Sequence, residues 1–264
     1  MSNILKKICE DKNKEIEILK NKCSLSTLKK LISDKIEKRN FKNAVIDSTD
    51  NKNNFIIGEI KKASPSAGEI IKDYDPLDIA KTYENAGIGA ISILTESNYF
   101  SGEIDHLSLI KQNTEIPILR KDFIIDEYQI YESKVYKADV ILLIISILSD
   151  DQLRRFLDIS KELKLDVIIE THDEEEIKRA MKLDYPIIGI NNRNLKNLKT
   201  NVKNSANLFT SITKDFTVIA ESGIKTLSDI EMYNGLGIFN FLIGESILRS
   251  NDYATFIKKL LNNG

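Results

Sequence analysis

Short apolar runs rich in β-branched residues recur along the chain from residue 55 onward, and most of the gaps between them show helical periodicity. Eight of these runs predict strands, and they cover residues 55–57, 88–94, 116–119, 140–145, 167–169, 187–190, 217–220 and 239–243. Strands that alternate with helices are typical of parallel βα units. Eight such units predict an α/β fold, a single-domain (β/α)8 TIM barrel. The alternative is an open doubly wound sheet, which ordinarily uses fewer strands.

The residues before the first strand predict a helical extension. Amphipathic patterns cover residues 4–20 and 26–38, and Ser24 or Ser26 is the candidate N-cap of the second helix. The polar stretch at residues 47–54 is the candidate linker, and it is too short to separate independent domains. We therefore expect an N-terminal helical extension over residues 1–48, followed by the barrel over residues 49–264.

Composition narrows the class of protein. A chain of 264 residues with 42% hydrophobic content can bury a full core. Its formal net charge of -2 argues against a surface for nucleic acid or anionic membranes, and no run approaches the roughly 20 apolar residues that cross a bilayer. Cys9 and Cys23 lack the neighbours of a metal site or a disulfide framework. We expect a cytoplasmic, monomeric protein with reduced thiols, no signal peptide, and no nucleic-acid or membrane partner.

Polar side chains follow the apolar runs where the predicted strands end. The clearest break is the change from Ile190 to Asn191, Asn192 and Arg193. Four other strands end in the same way, in Glu59 and Lys61, in Arg120, Lys121 and Asp122, in Glu170, and in Glu221 and Ser222. The carboxyl ends of parallel strands are where ligands bind in α/β folds, so we expect these side chains to converge on one site.

Charged residues on two of these strands indicate proton-transfer chemistry. Glu59 and Lys61 are two residues apart and share a strand face, where they form either an inward pair at the barrel mouth or a structural ion pair. On the third strand, the alternation of side chains leaves two alternatives. Either Lys121 points into the barrel, or the pair Arg120 and Asp122 does. Beside Lys61, Lys121 would lie in a positive field that lowers its pKa and suits proton donation near neutral pH.

Two further features bear on the site. Glu170 ends the fifth strand and is a candidate general base facing the lysines, whereas His172 is either a catalytic imidazole or, as we favour, a loop residue before the next helix.

Gly223 and Gly244 follow the last two strands, where barrels commonly bind phosphate. The Ser-Pro-Ser loop at residues 64–66 adds small residues that suit anion binding, or it forms only a turn.

The chain carries a series of short sequence motifs. The two most specific are Arg-Lys-Asp-Phe at residues 120–123 and Gly-Ile-Asn-Asn-Arg at residues 189–193. The other segments are residues 59–66, 93–96, 99–102, 119–132, 169–174, 220–224 and 242–245. In these motifs and in their order, the chain resembles the indole-3-glycerol phosphate synthase family of tryptophan biosynthesis. The resemblance covers most of the chain, and the helical extension also fits that family.

The resemblance implies a phosphorylated small-molecule substrate, 1-(2-carboxyphenylamino)-1-deoxyribulose 5-phosphate, whose aromatic ring attacks its own C2′ carbonyl before carbon dioxide and water are lost. It implies no metal and no organic cofactor. By similarity, Lys121 is the general acid that protonates the carbonyl oxygen, and Glu170 is the base that assists dehydration. Lys61 would pair with the substrate carboxylate and share the acid role, while Glu59 and Asn191 orient the lysines and the hydroxyls.

The resemblance also assigns residues to the two ends of the substrate. The phosphate would be held by Ser64, Gly223 and Gly244. The anthranilate end would be lined by Arg193, by Ser222 as a further catalytic residue, and by Phe100. Glu245 stands where some relatives have a phosphate-binding serine, so we expect its side chain to turn away. The loops at residues 64–74 and 96–105 are our candidates for closing over the substrate.

Three other functions stay open at the level of the sequence. An aldolase-like barrel would form a Schiff base at Lys121 or Lys61. The neighbouring isomerase of the same pathway shares the fold and the phosphate site but would need a Cys and Asp pair, whereas Cys9 and Cys23 lie ahead of the barrel. A catalytically silent barrel would only bind a partner, and the intact set of charged strand-end residues argues against it.

Overall fold

The computed structural model describes residues 3–33, 38–65, 68–193, 200 and 202–261. Within them, eight parallel strands close into a barrel in chain order, with the last strand paired to the first. The barrel strands are β1 (Phe55–Ile60), β2 (Ala90–Leu94), β3 (Ile118–Lys121), β4 (Val140–Ile144), β5 (Asp166–Thr171), β6 (Ile187–Asn191), β7 (Thr217–Glu221) and β8 (Asn240–Ile243). The eight predicted strands are confirmed, and the alternative of an open doubly wound sheet is wrong.

Three helices precede the barrel, where the sequence predicts two. They are α1 (Asn3–Lys22), α2 (Leu25–Leu31) and α3 (Phe41–Asp50). The Ser24 hydroxyl caps α2 by accepting a hydrogen bond from the Thr27 N–H, but the backbone of Ile32 is extended. The helix predicted over residues 26–38 therefore ends early, and residues 34–37 lie outside the described residues.

Further helices follow the strands and cover the outside of the barrel. They are α4 (Pro76–Asn85), α5 (Ser97–Phe100), α6 (Asp105–Lys111), α7 (Glu127–Val135), α8 (Asp150–Glu162), α9 (Glu174–Ala180), α10 (Lys203–Phe209), α11 (Leu227–Leu236), α12 (Glu245–Leu248) and α13 (Tyr253–Leu261). A short antiparallel pair, Ala63–Ser64 with Gly68–Glu69, follows β1, and a 3-10 turn, Ile145–Ile147, follows β4. No helix in the described part of the chain is long and apolar enough to cross a membrane.

Helix α3 covers residues 47–50, for which the sequence predicts a linker, and that prediction is wrong there. The helix forms because its other face is apolar: Phe41 and Val45 are fully buried in the cluster that fills the barrel. Just before it, the Arg39 guanidinium donates to the carbonyl oxygens of Ile116 and Lys111 at 2.7 and 2.8 Å, which anchors the segment to the barrel. The division of the chain at residue 48 falls within α3 and stays a prediction.

Alternation along the strands separates two apolar clusters. One fills the barrel and includes Ile57, Leu119 and Ile168, and the other lies between the strands and the helices. Lys121 follows Leu119 by two residues and therefore points into the barrel. Arg120 points outward and is buried against α7. Of the two alternatives on the third strand, the structure supports an inward Lys121.

Candidate active site

A cavity of about 840 Å³ lies at the carboxyl ends of the barrel strands. This volume is typical of small-molecule sites. Ile4, Leu5 and Ile8 of α1 form part of its wall, so the extension contributes to the site, which the sequence did not indicate. The structure brings the eleven predicted site residues to this one cavity: Glu59, Lys61, Ser64, Phe100, Lys121, Glu170, Asn191, Arg193, Ser222, Gly223 and Gly244.

Glu59 and Lys61 form an inward ion pair at the mouth of the barrel. The Lys61 ammonium contacts Glu59 Oε1, and both side chains line the cavity. Burial favours the neutral acid, but the charges of Lys61 and Lys121 outweigh it and hold the pKa of Glu59 below its ordinary value. Gly244 leaves room for this carboxylate, because a Cβ at that position would lie 2.6 Å from Glu59 Oε1.

Lys121 lies among carboxyl groups. Its Nζ is 3.3 Å from Glu170 Oε2 and 3.5 Å from Glu221 Oε2. Burial disfavours the charged form, but Glu170, Glu221 and Glu59 outweigh it and raise the pKa of Lys121 above its ordinary value. The expectation that Lys61 lowers this pKa is therefore wrong, since the carboxylates are the stronger neighbours. In the free protein, Lys121 is a charged ammonium.

Glu221 is a buried carboxyl that the sequence places among the converging strand-end residues but to which it assigns no role. It is 1% exposed and lies close enough to Glu170 for the two groups to share one proton. Burial and the Glu170 charge raise the pKa of Glu221. Burial acts on Glu170 in the same direction, but Lys121 and His172 outweigh it and lower the pKa of Glu170. Glu221 therefore holds the proton, and Glu170 is the carboxylate.

The sequence contains a signal for Glu221. It ends β7 two residues after Ile219, which lies in the apolar cluster that fills the barrel, so alternation points Glu221 inward. Gly189 on the neighbouring strand provides the space, because a Cβ there would lie 2.2 Å from Glu221 Oε1. A strand-end glycine opposite an inward acid could have identified this residue.

His172 is a loop residue after β5, as we favoured, and it lies behind Glu170. Its Nε2 is 3.2 Å from Glu170 Oε1, and its Nδ1 is 3.1 Å from Glu176 Oε2. Burial lowers the proton affinity of the ring, but the two carboxylates outweigh it and raise the pKa of His172 to about 10. Among the described residues, His172 is not one of the side chains that line the cavity.

A second group of buried charges lies behind β3, and we call it the support cluster: Lys12, Glu96, Arg120, Asp122 and Glu132. Lys12 Nζ of α1 is 3.2 Å from Asp122 Oδ1 and 3.8 Å from a Glu96 oxygen. Arg120 Nη2 is 3.0 Å from Asp122 Oδ2 and 2.9 Å from Glu132 Oε2. These contacts tie α1 and α7 to the end of the strand that carries Lys121.

The loop after β7 has a strained backbone. Ser222 has a φ of 66° and Gly223 a φ of 83°, in the left-handed region that favours glycine. The Asn192 side chain supports this loop, because its Nδ2 donates to the Ser222 carbonyl oxygen at 3.0 Å and to the Tyr233 hydroxyl at 2.9 Å. Asn192 thus has a structural part in the site that the sequence alone did not assign.

Aromatic side chains line the cavity together with the charged ones. The Phe100 and Phe123 rings lie with their centroids 6.3 Å apart. Glu245 pairs with two guanidinium groups, and its oxygens lie 3.0 Å from Arg249 Nε and 3.9 Å from Arg193 Nη2. It lines the cavity beside Gly244, so the expectation that it turns away from the phosphate stays a prediction.

The residues predicted to hold phosphate lie on the loops after β1, β7 and β8. Ser64 is buried, Gly223 is held in the left-handed region, and α12 begins directly after Gly244. In the described ranges, no group of three or more His, Cys, Asp or Glu side chains could hold a metal ion. Ser66, which belongs to the resembling motifs, lies outside the described residues.

Comparisons with known proteins identify the family of this chain. A sequence model of the indole-3-glycerol phosphate synthase family matches residues 5–260. The chain is 43% identical over 263 residues to the indole-3-glycerol phosphate synthase of Legionella pneumophila (strain Paris), with 100% of both chains covered. It is 50% identical over 207 residues to that of Caldanaerobacter subterraneus subsp. tengcongensis, which covers 78% of this chain and 80% of the relative.

The solved structures show the fold alone. A 3-hexulose-6-phosphate synthase from Salmonella typhimurium is similar with a TM-score of 0.64 at 11% identity, over 79% of this chain and 97% of that chain. A structure named KGPDC, from Streptococcus mutans, has a TM-score of 0.61 at 11% identity, over 80% of this chain and 96% of that chain.

Lysines and carboxyls that converge at the carboxyl ends of a closed barrel define an acid–base enzyme of the TIM-barrel class. Within that class, the chain belongs to the indole-3-glycerol phosphate synthase family, whose members are carboxy-lyases of tryptophan biosynthesis. The family, the fold class and the enzyme class predicted from the sequence are confirmed. The aldolase-like and isomerase alternatives are contradicted.

Proposed function

We propose that the cavity binds 1-(2-carboxyphenylamino)-1-deoxyribulose 5-phosphate and that Lys121 and Glu170 convert it to indole-3-glycerol phosphate. The observation that carries this proposal is the position of Lys121, which lines the cavity as an ammonium 3.3 Å from the Glu170 carboxylate. An acid and a base in contact can exchange a proton between steps of one reaction. Membership of the family supplies the substrate and the reaction.

The first step is ring closure. The aromatic carbon that bears the carboxylate attacks C2′, the C2′–oxygen π bond breaks, and Lys121 donates a proton to the oxygen, which becomes a hydroxyl. Carbon dioxide then leaves, and the electron pair of the broken carbon–carboxyl bond restores the aromatic ring. Lys61 lines the same cavity and would pair with the carboxylate before it leaves.

The second step is dehydration. The hydroxyl on C2′ leaves as water with a proton from Lys61, and C1′ loses a proton to Glu170, so the double bond of the indole forms. Glu170 Oε2 then returns this proton to Lys121 across 3.3 Å. Each turnover releases one carbon dioxide and one water and takes up one proton from solvent. Asn191 and Glu59 line the cavity and would orient the hydroxyls and the lysines.

The two ends of the substrate fit different walls of the cavity. Phe100 and Phe123 offer apolar ring surface to the anthranilate, beside Arg193 and the Ser222 hydroxyl. Phosphate binding is proposed for the loops after β1, β7 and β8, where backbone N–H groups of glycine and of the α12 start are available. The residues that would hold it are Ser64, Gly223 and Gly244.

The test mixes wild-type protein and Lys121→Ala with the carboxyphenylamino-deoxyribulose phosphate, in chelator and without added cofactor. We expect indole absorbance and fluorescence to appear with the wild type, and the rate of Lys121→Ala to fall by about 10²-fold or more. Lys178→Ala is the matched control, because Lys178 is 62% exposed on α9 and pairs only with the surface carboxylate Glu174 among the described ion pairs.

The outcomes separate the parts of the proposal. Absence of indole with the wild type would overturn the reaction. Equal rates for wild type and Lys121→Ala would leave the reaction standing and remove Lys121 as the acid. The monomeric state and the cytoplasmic location predicted from the sequence stay proposals, which sedimentation at micromolar concentration and cell fractionation would test.

A further inference from the structure

His172 contacts the proposed base from outside the cavity. Its side chain is 12% exposed, and its two ring nitrogens face two different carboxylates, Glu170 at 3.2 Å and Glu176 at 3.1 Å. A neutral imidazole has one N–H donor and one lone pair, so it would point a lone pair at one of these carboxylates. The geometry therefore favours the imidazolium, whose positive charge faces a carboxylate on each side.

The ring is fixed at its backbone as well as at its side chain. The His172 N–H donates to Glu176 Oε2 at 2.8 Å. Glu176 lies in the first turn of α9, where its own N–H donates to the capping carboxylate of Asp173 at 3.0 Å. The start of α9 thus holds His172 in one orientation behind β5.

We propose that His172 is a positioning residue for Glu170. Clamped to Glu176 as an imidazolium, it engages Glu170 Oε1 and leaves Oε2 to face Lys121, the acid of the proposed function on which this inference rests. Its charge also keeps the proton shared by the two carboxyls on Glu221, so that Glu170 stays ionised. The charged and titratable groups around the ring are Glu170 on β5, Glu176 on α9, and beyond Glu170, Lys121 on β3 and Glu221 on β7.

The direct test is the protonation state of the ring in the folded wild-type protein. The chain has 2 histidines, so a protein labelled with ¹⁵N-histidine gives few signals, and His106→Gln assigns the remaining one to His172. We expect both nitrogens of His172 to stay protonated at pH 8, where an ordinary imidazole with a pKa of about 6.5 is neutral. A His172 ring that titrates near that ordinary value would overturn the clamp.

The kinetic test compares His172→Gln with the wild type over a range of pH. We expect kcat to fall about tenfold or more, with KM within about threefold, because the base is misplaced while the cavity wall is intact. The acidic limb of the kcat profile should move up by about one pH unit, because Glu170 loses a neighbouring positive charge. A merely structural role would lower kcat equally at every pH.

Two variants on α9 form a matched pair. Glu176→Gln removes one carboxylate of the clamp and should shift the profile in the same direction by a smaller amount. Glu174→Gln makes the same chemical change in the same helical turn, at a side chain that is 58% exposed, and should leave the profile unchanged. Equal behaviour of the two variants would overturn the proposal.

The results also separate this inference from the proposed function. If the wild type makes indole-3-glycerol phosphate but His172→Gln keeps the wild-type profile, the positioning role is wrong and the function stands. If the wild type makes no product, the base role of Glu170 is lost, and the positioning role is lost with it.

Discussion

The two groups of buried charges around β3 contain the same kinds of side chain but hold protons differently. The support cluster sets Lys12 and Arg120 against its carboxylates. The cavity cluster, defined as Lys121, Glu170, His172 and Glu221, also sets two cations against two carboxyls. Burial acts on both clusters, yet Arg120 and Lys12 lower the pKa of Asp122 to about 2, whereas the pKa of Glu221 is raised.

The number of hydrogen-bond donors explains the difference. Asp122 accepts from the Thr95 hydroxyl at 2.7 Å, from Arg120 at 3.0 Å and from the Phe123 N–H at 2.8 Å. Glu221 has the Lys121 ammonium at 3.5 Å and receives no hydrogen-bond donor from the described residues. A buried carboxylate needs donors on its oxygens as well as a nearby cation. Asp122 is therefore held as a carboxylate, whereas Glu221 keeps a movable proton beside the cavity.

Removal of a cation from the support cluster should have the largest effect on stability. Lys12 is 2% exposed, so Lys12→Met leaves Asp122 and Glu96 buried without it. We expect the free energy of unfolding to fall by about 3–5 kcal/mol at pH 7, as measured by urea denaturation.

Two controls belong to this measurement. Lys14→Met makes the same change on the same helix at a side chain that is 76% exposed, and it should change stability by less than about 0.5 kcal/mol. Lys12→Met combined with Asp122→Asn should be less destabilised than the sum of the single variants, because the pair is removed together. Strict additivity would show that Lys12 and Asp122 do not interact.

The two clusters also differ in how much of each could be predicted from the sequence. Lys121 and Glu170 were predictable because strand alternation and the strand-end rule fix where such side chains point. Glu221 obeys the same rules, but the sequence does not show which carboxyl lacks donors, and that lack gives it the proton. Lys12 was not predictable, because an amphipathic helix pattern does not identify a partner on a distant strand.

The helical extension shows the same limit in the fold. Helix α3 has a polar half that is typical of a linker, and it forms because Phe41 and Val45 are buried against the barrel. The local composition of this segment does not predict that tertiary contact. The barrel strands were predictable because burial on both faces gives each of them a continuous apolar run.

Gly189→Ala tests whether the cavity cluster depends on the position of Glu221. A Cβ at Gly189 would lie 2.2 Å from Glu221 Oε1 and 3.0 Å from Ile168 Cγ2, so the carboxyl must move. We expect a loss of about 1–3 kcal/mol of stability and a changed kcat–pH profile. Gly235→Ala on α11 is the control, since a Cβ there meets nothing within 4 Å, and it should gain up to about 1 kcal/mol. An unchanged profile for Gly189→Ala would mean that Glu221 does not tune the base.

Glu221→Gln tests where the movable proton lies. Burial and Glu170 raise the pKa of Glu221, so the folded protein keeps a proton that the unfolded chain loses in the ordinary carboxyl range. The stability of the wild type should therefore fall as pH rises from that range through the raised pKa, by at most about 1.4 kcal/mol per pH unit from this group. The glutamine variant should lack this contribution, which the difference between the two denaturation curves measures. Parallel curves from pH 5 to pH 8 would contradict a proton on Glu221.

Ser222→Gly tests the strained backbone next to Glu221, and it has the smallest expected effect on stability. Ser222 has a φ of 66°, and Lys164, in the turn before β5, has a φ of 56°, so glycine should relieve a similar strain at both positions. We expect each variant to gain about 1 kcal/mol of stability, measured by thermal unfolding. Ser222→Gly should also lose rate, because Ser222 lines the cavity and the change removes its hydroxyl, while Lys164→Gly should keep the rate. Full activity of Ser222→Gly would mean that the strained loop matters for its backbone alone, and the hydroxyl would leave the catalytic set.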